Sequence, residues 1–538
     1  MRHGMFQTVL FGMALSWLLC GAVAKADSCT DIAGLHLQNT VIQSATMVPA
    51  GTPEAIMPNL PPRDLHLPRY CKVEGSIHER IGADKQHYAT RFEVRLPDNW
   101  NGKFLFQGGG GLDGVVRPAI GFTGFGTPTA LTRGYAVAST DAGHEGMANS
   151  IFGKEQKARL DYAYAAIDDV TRVSKELMAQ YYGKPAAHSY FDGCSNGGRQ
   201  AMMAAQRFPL EFDGIVAGDP GFRLSHAAIG EAWDTETFDS IAPVDKDGHP
   251  ILSAAFSQAD LDLVSKAVLE KCDALDGLKD GEINNVSACR FDPEVLTCKP
   301  AQTSGCLKAK QVKALKKAFG GAHNSTGERL YASWPYDAGI ASMGWRMWKL
   351  GTSPTAKSNA LNVMLGAPAL RDYFVHPYIS GFDPEHPNFD AIDGEVEQTS
   401  IINDPTSTDY GTFAARGGRM ILYEGMSDPV FSANDIIDYY KRFIRDSGGL
   451  EQAQSVARLF LVPGMTHCGQ GPATDQFDAL TALERWVEDG EAPAKIQATG
   501  RAFPGRSRPL CPFPAYAAYV GSGNSEDAAS FVCKAPSE

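Results

Sequence analysis

Ser189-Tyr190-Phe191-Asp192-Gly193-Cys194-Ser195-Asn196-Gly197-Gly198-Arg199-Gln200 reads as an apolar strand, a Gly-x-Ser-x-Gly turn and the first turn of a helix. That order pushes a serine hydroxyl out at the top of a sheet, with glycines where side chains would clash. A second stretch, Gly464-Met465-Thr466-His467-Cys468, follows the apolar run 458–462 and sets a histidine at another strand end. Each stretch carries a cysteine beside its reactive residue. A disulfide between Cys194 and Cys468 would tie the neighbour of the nucleophile to the neighbour of the base.

A serine hydroxyl is a weak nucleophile and needs a base, an orienting acid and an oxyanion site. On a sheet of this kind the partners follow the serine in the order acid, then histidine. Asp428, in Ser427-Asp428-Pro429-Val430 after the strand 420–423, is the strongest acid, and Glu424 is its rival four residues earlier. Asn196 offers a backbone N–H to the oxyanion. Gly109 or Gly110, in the glycine run after the strand 104–106, is expected to supply the second. Asp141 and His144, in Thr140-Asp141-Ala142-Gly143-His144, precede the serine and read as loop organisers.

Working outward, strands at 135–139, 189–191, 214–217, 420–423 and 458–462 alternate with helical periods at 157–182, 197–207, 434–446 and 475–489. Such alternation predicts an α/β fold, a largely parallel sheet with helices on both faces and its site at the strands' carboxyl ends. Between 224 and 415 the pattern breaks. Four cysteines, many Gly and Pro turns and Trp233, Trp334, Trp345 and Trp348 fall there, and the stretch reads as an inserted domain. The expected organisation is therefore a catalytic domain of 27–223 with 416–538, interrupted by a lid of 224–415. Tryptophans usually build a domain's core; these could also stack on an aromatic ligand.

Residues 1–26 read as a secretory leader: Arg2, an apolar run to Val23, then Ala24-Lys25-Ala26 as a small-residue cleavage site. Nothing later is apolar for long enough to span a membrane. Cleavage takes away Arg2 and Lys25 and no acid, moving the formal charge from −13 to −15. So acidic a chain is a poor partner for nucleic acid or an anionic membrane. Of 11 cysteines, Cys20 leaves with the leader, and the even remainder of an exported chain argues for disulfides. Spacing does not fix connectivity. Loop lengths make Cys29–Cys71, Cys272–Cys289, Cys298–Cys306 and Cys511–Cys533 natural, which leaves Cys194 and Cys468.

The run 272–283 places Asp273, Asp276 and Asp280 with two glycines on a tight loop. Hard oxygen ligands suit calcium, although the spacing is not that of an EF-hand and a solvated turn has the same composition.

Taken together, Cys194-Ser195, Asp428 and His467-Cys468 resemble the CS-D-HC arrangement of the tannase and feruloyl esterase family, which includes a bacterial esterase of mono(2-hydroxyethyl) terephthalate. The match extends through 191–200, the oxyanion glycines, 140–144 and the acidic loop. The resemblance implies an α/β-hydrolase fold with a lid, a serine esterase of small aromatic-acid esters, and the Cys194–Cys468 bridge; the leader adds a secreted or periplasmic location. It also implies a structural calcium held by the side chains of Asp273, Asp276 and Asp280 and the carbonyls of Leu278 and Glu282. The family often has an apolar residue at the Glu282 position, which a carbonyl ligand tolerates. An acyltransferase or peptidase of the same fold, or a non-catalytic hydrolase-like binding module, is the alternative.

Overall fold

The computed structural model describes Met1, residues 28–56 and residues 61–536. The expected leader falls outside the described residues, Met1 apart. Nine strands form one sheet: β1 (Thr40–Val48), β2 (Tyr70–Ile81), β3 (His87–Pro97), β4 (Lys103–Gln107), β5 (Ala136–Thr140), β6 (His188–Cys194), β7 (Gly214–Gly218), β8 (Arg419–Gly425) and β9 (Ala457–Val462). Their order is β1-β2-β3-β5-β4-β6-β7-β8-β9. The first three and β5 pair antiparallel, whereas β5, β4, β6, β7, β8 and β9 run parallel. Strands β5 and β7 are buried along their whole length, as apolar runs covered on both faces must be, while the edge strand β1 is largely open.

Side-chain alternation divides the core. Phe104, Phe106, Phe191, Ile215 and Leu422 face one layer with the helices Ala166–Tyr182, Asn196–Arg207 and Ala433–Asp446. Leu105, Tyr190, Val216 and Ile421 face the other with the helix Ala479–Glu488. This is the α/β-hydrolase arrangement expected from the sequence.

Two helices differ from their sequence periods. The 475–489 helix begins only at Ala479, because Gln476 and Phe477 pair with Thr499 and Ala498 in a small separate sheet. Asp478 then caps the helix by accepting from Thr481 N at 2.8 Å. The 157–182 period runs through Gln156–Leu160 and a wide π turn, Asp161–Ala165, before Ala166–Tyr182. Carbonyls of that turn, on Tyr162 and Ala163, accept hydrogen bonds from Arg199 and so fix the helix that follows Ser195.

Adjacent strands β7 and β8 are joined by a long excursion. The chain leaves the sheet at Gly218 and returns at Arg419, building a mostly helical layer around Phe238, Phe256, Leu261, Leu315 and Trp345. Val430, Phe431 and Tyr162 share that apolar cluster, so layer and sheet are packed as one body over the strands' carboxyl ends. Disulfides join Cys29–Cys71, Cys194–Cys468, Cys272–Cys289, Cys298–Cys306 and Cys511–Cys533. Among the described residues no helix is long and apolar enough to cross a membrane.

Candidate active site

Ser195 caps β6 with φ +67° and ψ −129°, a backbone conformation held in place by its surroundings. Two glycines make the turn possible. A Cβ on Gly193 would lie 2.6 Å from the Gly197 carbonyl, and one on Gly197 would lie 2.7 Å from the Gly109 carbonyl. The turn therefore aims the Ser195 hydroxyl away from the sheet.

His467 reaches it from the loop after β9. Its Nε2 lies 2.7 Å from Ser195 Oγ and its Nδ1 lies 2.7 Å from Asp428 Oδ2. Asp428 is buried, and its other oxygen accepts Val430 N at 2.6 Å and Phe431 N at 3.1 Å. Because that carboxylate only accepts, it fixes the tautomer with the proton on Nδ1 and leaves Nε2 to take one from serine. Burial pushes the imidazole down, but the charge and hydrogen bond of Asp428 lead the effects that outweigh it and hold His467 above the ordinary histidine value. Trp348 and Phe431 stand edge-on to the imidazole, with centroids at 5.7 and 5.4 Å, and shield the pair from water.

Glu424 is placed differently. It is fully buried, and neither carboxyl oxygen finds a hydrogen-bond partner among the described residues. Burial, then the charges of Asp219 and Asp428, drive its pKa well above the usual carboxylate range. It makes no bond to His467.

Sequence reasoning missed Asp219, the residue directly after β7. Its Oδ1 accepts Gly425 N at 2.6 Å and its Oδ2 accepts Cys468 N at 2.7 Å, 3.5 Å from Cys194 Sγ. One carboxyl thus joins the end of β8, the histidine loop and the neighbourhood of the disulfide. Burial and the charge of Asp428 push it up to about 7. The available signal was its place at the carboxyl end of a buried parallel strand.

On the oxyanion side, Asn196 opens its helix, so its N–H has no intrahelical acceptor. Its side chain is tied to Asp113 and Arg199, which orients the turn. The two glycine candidates separate. Gly109 N donates to Gln200 Oε1 at 2.9 Å, whereas Gly110 N meets no acceptor among the described residues. Asp141 accepts from Arg91 N, Arg91 Nη1 and Gly143 N. His144 is buried, stacked on Phe152 at 3.8 Å and pushed down by burial to about 4. Both brace the loop and lie off the proton path.

The pocket beside Ser195 is walled by Leu112, Leu224, Trp348, Phe374 and Phe431. Of the tryptophans between β7 and β8 only Trp348 lines it; Trp334 and Trp345 are buried in the apolar cluster shared by that excursion and the sheet's helices and loops.

The acidic loop is built from its own amides. Asp273 accepts from Asp280 N and Gly281 N, and Asp276 accepts from Leu278 N and Asn284 N. Burial raises the pKa of Asp273, and burial pushes Asp276 up to about 6, with Asp280 adding like charge to both. This surplus of hard anionic oxygen fits a divalent cation in chemistry. Among the described residues no three of these carboxylates bring oxygens within 4.8 Å of one another, and Asp280 also faces Arg508. The Glu282 side chain is not idle. It is buried and accepts Thr474 N at 2.9 Å and Thr474 Oγ1 at 3.0 Å, tying the acidic loop to the segment that carries His467.

The sequence model of the tannase and feruloyl esterase family matches residues 71–534. A mono(2-hydroxyethyl) terephthalate hydrolase of Piscinibacter sakaiensis is 42% identical over 523 residues, covering 87% of this chain and 85% of that protein. A probable feruloyl esterase of Arthroderma benhamiae is 30% identical, with 81% of each covered. The crystal structure of feruloyl esterase B from Aspergillus oryzae superposes with a TM-score of 0.78 at 26% identity, over 94% of this chain and 99% of that one.

Proposed function

The chain belongs to the tannase and feruloyl esterase family and is a carboxylic ester hydrolase; from that premise we propose that it hydrolyses esters of aromatic acids through a Ser195–His467–Asp428 triad and an acyl-enzyme intermediate. The observation that carries this reading is His467, with one ring nitrogen 2.7 Å from Ser195 Oγ and the other 2.7 Å from Asp428. The aromatic acyl class is suggested by the named activities of the relatives and by the apolar, Trp348-walled pocket.

Ser195 Oγ attacks the ester carbonyl carbon while its proton passes to His467 Nε2, and Asp428 stabilises the imidazolium. The N–H groups of Asn196 and Gly110 hold the oxyanion. Collapse expels the alcohol, which takes the proton from His467, and leaves the acid esterified to Ser195. Water repeats the cycle: His467 removes its proton, the hydroxide oxygen bonds to the acyl carbon, and Ser195 leaves protonated. Export through a leader ending at Ala26 belongs to the same proposal, supported by the five cysteine pairs and checked by N-terminal sequencing of the mature protein. So does a structural calcium on Asp273, Asp276 and Asp280 with the carbonyls of Leu278 and Glu282; the ion would neutralise the loop's surplus charge.

The direct test is mass spectrometry during turnover. Wild-type protein should carry the acyl mass on the peptide containing Ser195, and Ser195→Ala should lose that adduct together with more than ~1,000-fold of kcat. Full turnover by the alanine variant would rule the mechanism out.

A further inference from the structure

The pocket beside Ser195 contains a charged-type residue that the triad does not use. Glu231, on the helix Leu224–Asp239, lines it along with Ser195 and Asn196 and is only 6% exposed. Its carboxyl group has no hydrogen-bond partner among the described residues. Oε2 lies against Gly366 so closely that any side chain there would collide with it. The neighbouring cation cannot serve it: Lys349 is paired with Asp234 and sits 3.7 Å over the Trp334 ring. No Lys, Arg or His of the described residues lines the pocket.

An unpartnered carboxyl in an apolar cleft is costly, and such groups are normally satisfied by a protein atom, water or a ligand. Here the open side of Glu231 is the cleft where the acyl group would lie. Burial pushes its pKa up to about 8 against the pull of Lys349, so near neutral pH it both donates and accepts a hydrogen bond. A phenolic or other ring hydroxyl has the same dual capacity. A second carboxylate on the ring has not. It would enter a cleft with no Lys, Arg or His on its walls, and one hydrogen bond from Glu231 does not offset the loss of its hydration.

We propose that Glu231 is the polar anchor of the acyl pocket and selects aromatic acids whose ring bears a neutral hydroxyl over acids whose ring bears a second, ionised carboxylate. This rests on the reading in which Ser195 is the acylated residue, and its test does not require turnover. Calorimetry on folded Ser195→Ala protein should find 4-hydroxybenzoate bound at least ~10-fold more tightly than benzoate, and terephthalate most weakly of the three. Adding Glu231→Leu should bring the hydroxybenzoate-to-benzoate ratio to about one, whereas the isosteric Glu231→Gln, which still donates and accepts, should keep most of it, neither changing the fold by circular dichroism. Terephthalate binding as tightly as 4-hydroxybenzoate, or a ratio that survives Glu231→Leu, would overturn the assignment. Failure of the mechanism shows elsewhere, as ester turnover that persists in Ser195→Ala.

Discussion

Three buried acids stand within reach of one histidine's surroundings, and their surroundings give them different work. Asp428 bonds His467 and two backbone amides, Asp219 bonds the backbone of the histidine loop, and Glu424 bonds nothing among the described residues. Asp428→Asn should therefore lower kcat by ~1,000-fold or more, since the amide presents the wrong partner to Nδ1. Glu424→Gln should stay within ~3-fold, because a carboxyl already held neutral by burial is replaced by a neutral isostere. Steady-state kinetics of the two variants check the contrast, and the reverse pattern would transfer the acid's role to Glu424. The contacts of Ser195, His467 and Asp428, which the proposed mechanism uses, were readable because each residue sits in a short motif at a strand end in a fixed chain order. Asp219 and Glu231 were not. Each is a single acid with no local pattern, and its meaning comes from the distant segments packed against it.

At the scale of elements, the Cys194–Cys468 bridge and Asp219 both fasten the loop after β9, the bridge to the β6 turn and Asp219 to the ends of β7 and β8. The bridge adjoins nucleophile and base without lining the pocket wall, so its loss should act on proton transfer more than on binding. Replacing both cysteines with alanine should lower kcat by ~10–100-fold with KM within ~3-fold, small displacements of reacting groups being that costly. Because the Cys468 backbone N–H survives the change, Asp219 should cushion it. Adding Asp219→Asn should then cost more than the two effects multiplied, which a double-mutant cycle reads directly. Equal losses in kcat and binding would mean the bridge only stabilises the fold. The strands and helices around this loop were legible from uninterrupted apolar runs and from periodicity. The 475–489 period misled at its start, because Phe477 falls on the helical stripe while its backbone pairs with Ala498. Pairing across residues so far apart leaves no mark on local spacing.

For the whole molecule, the acidic loop is the place where the excursion between β7 and β8, the C-terminal segment and the histidine loop meet, through Glu282, Arg506, Arg508 and Thr474. With calcium bound to the native state alone, a hundredfold excess over Kd adds ~2.7 kcal/mol. Chelation should lower Tm by a few degrees, and Asp276→Asn should abolish that response; metal-free protein with an unchanged Tm would remove calcium from the account. The long excursion between β7 and β8 has a further consequence, for biogenesis. Four of the five cystines join cysteines that follow one another along the chain, whereas Cys194 must wait while 272, 289, 298 and 306 emerge before 468 arrives. An oxidant that links thiols in order of appearance would pair Cys194 with Cys272, Cys289 with Cys298 and Cys306 with Cys468. If export exposes the chain to such an oxidant, maturation should require thiol–disulfide reshuffling, and a host that oxidises quickly but isomerises poorly should accumulate scrambled, inactive chains.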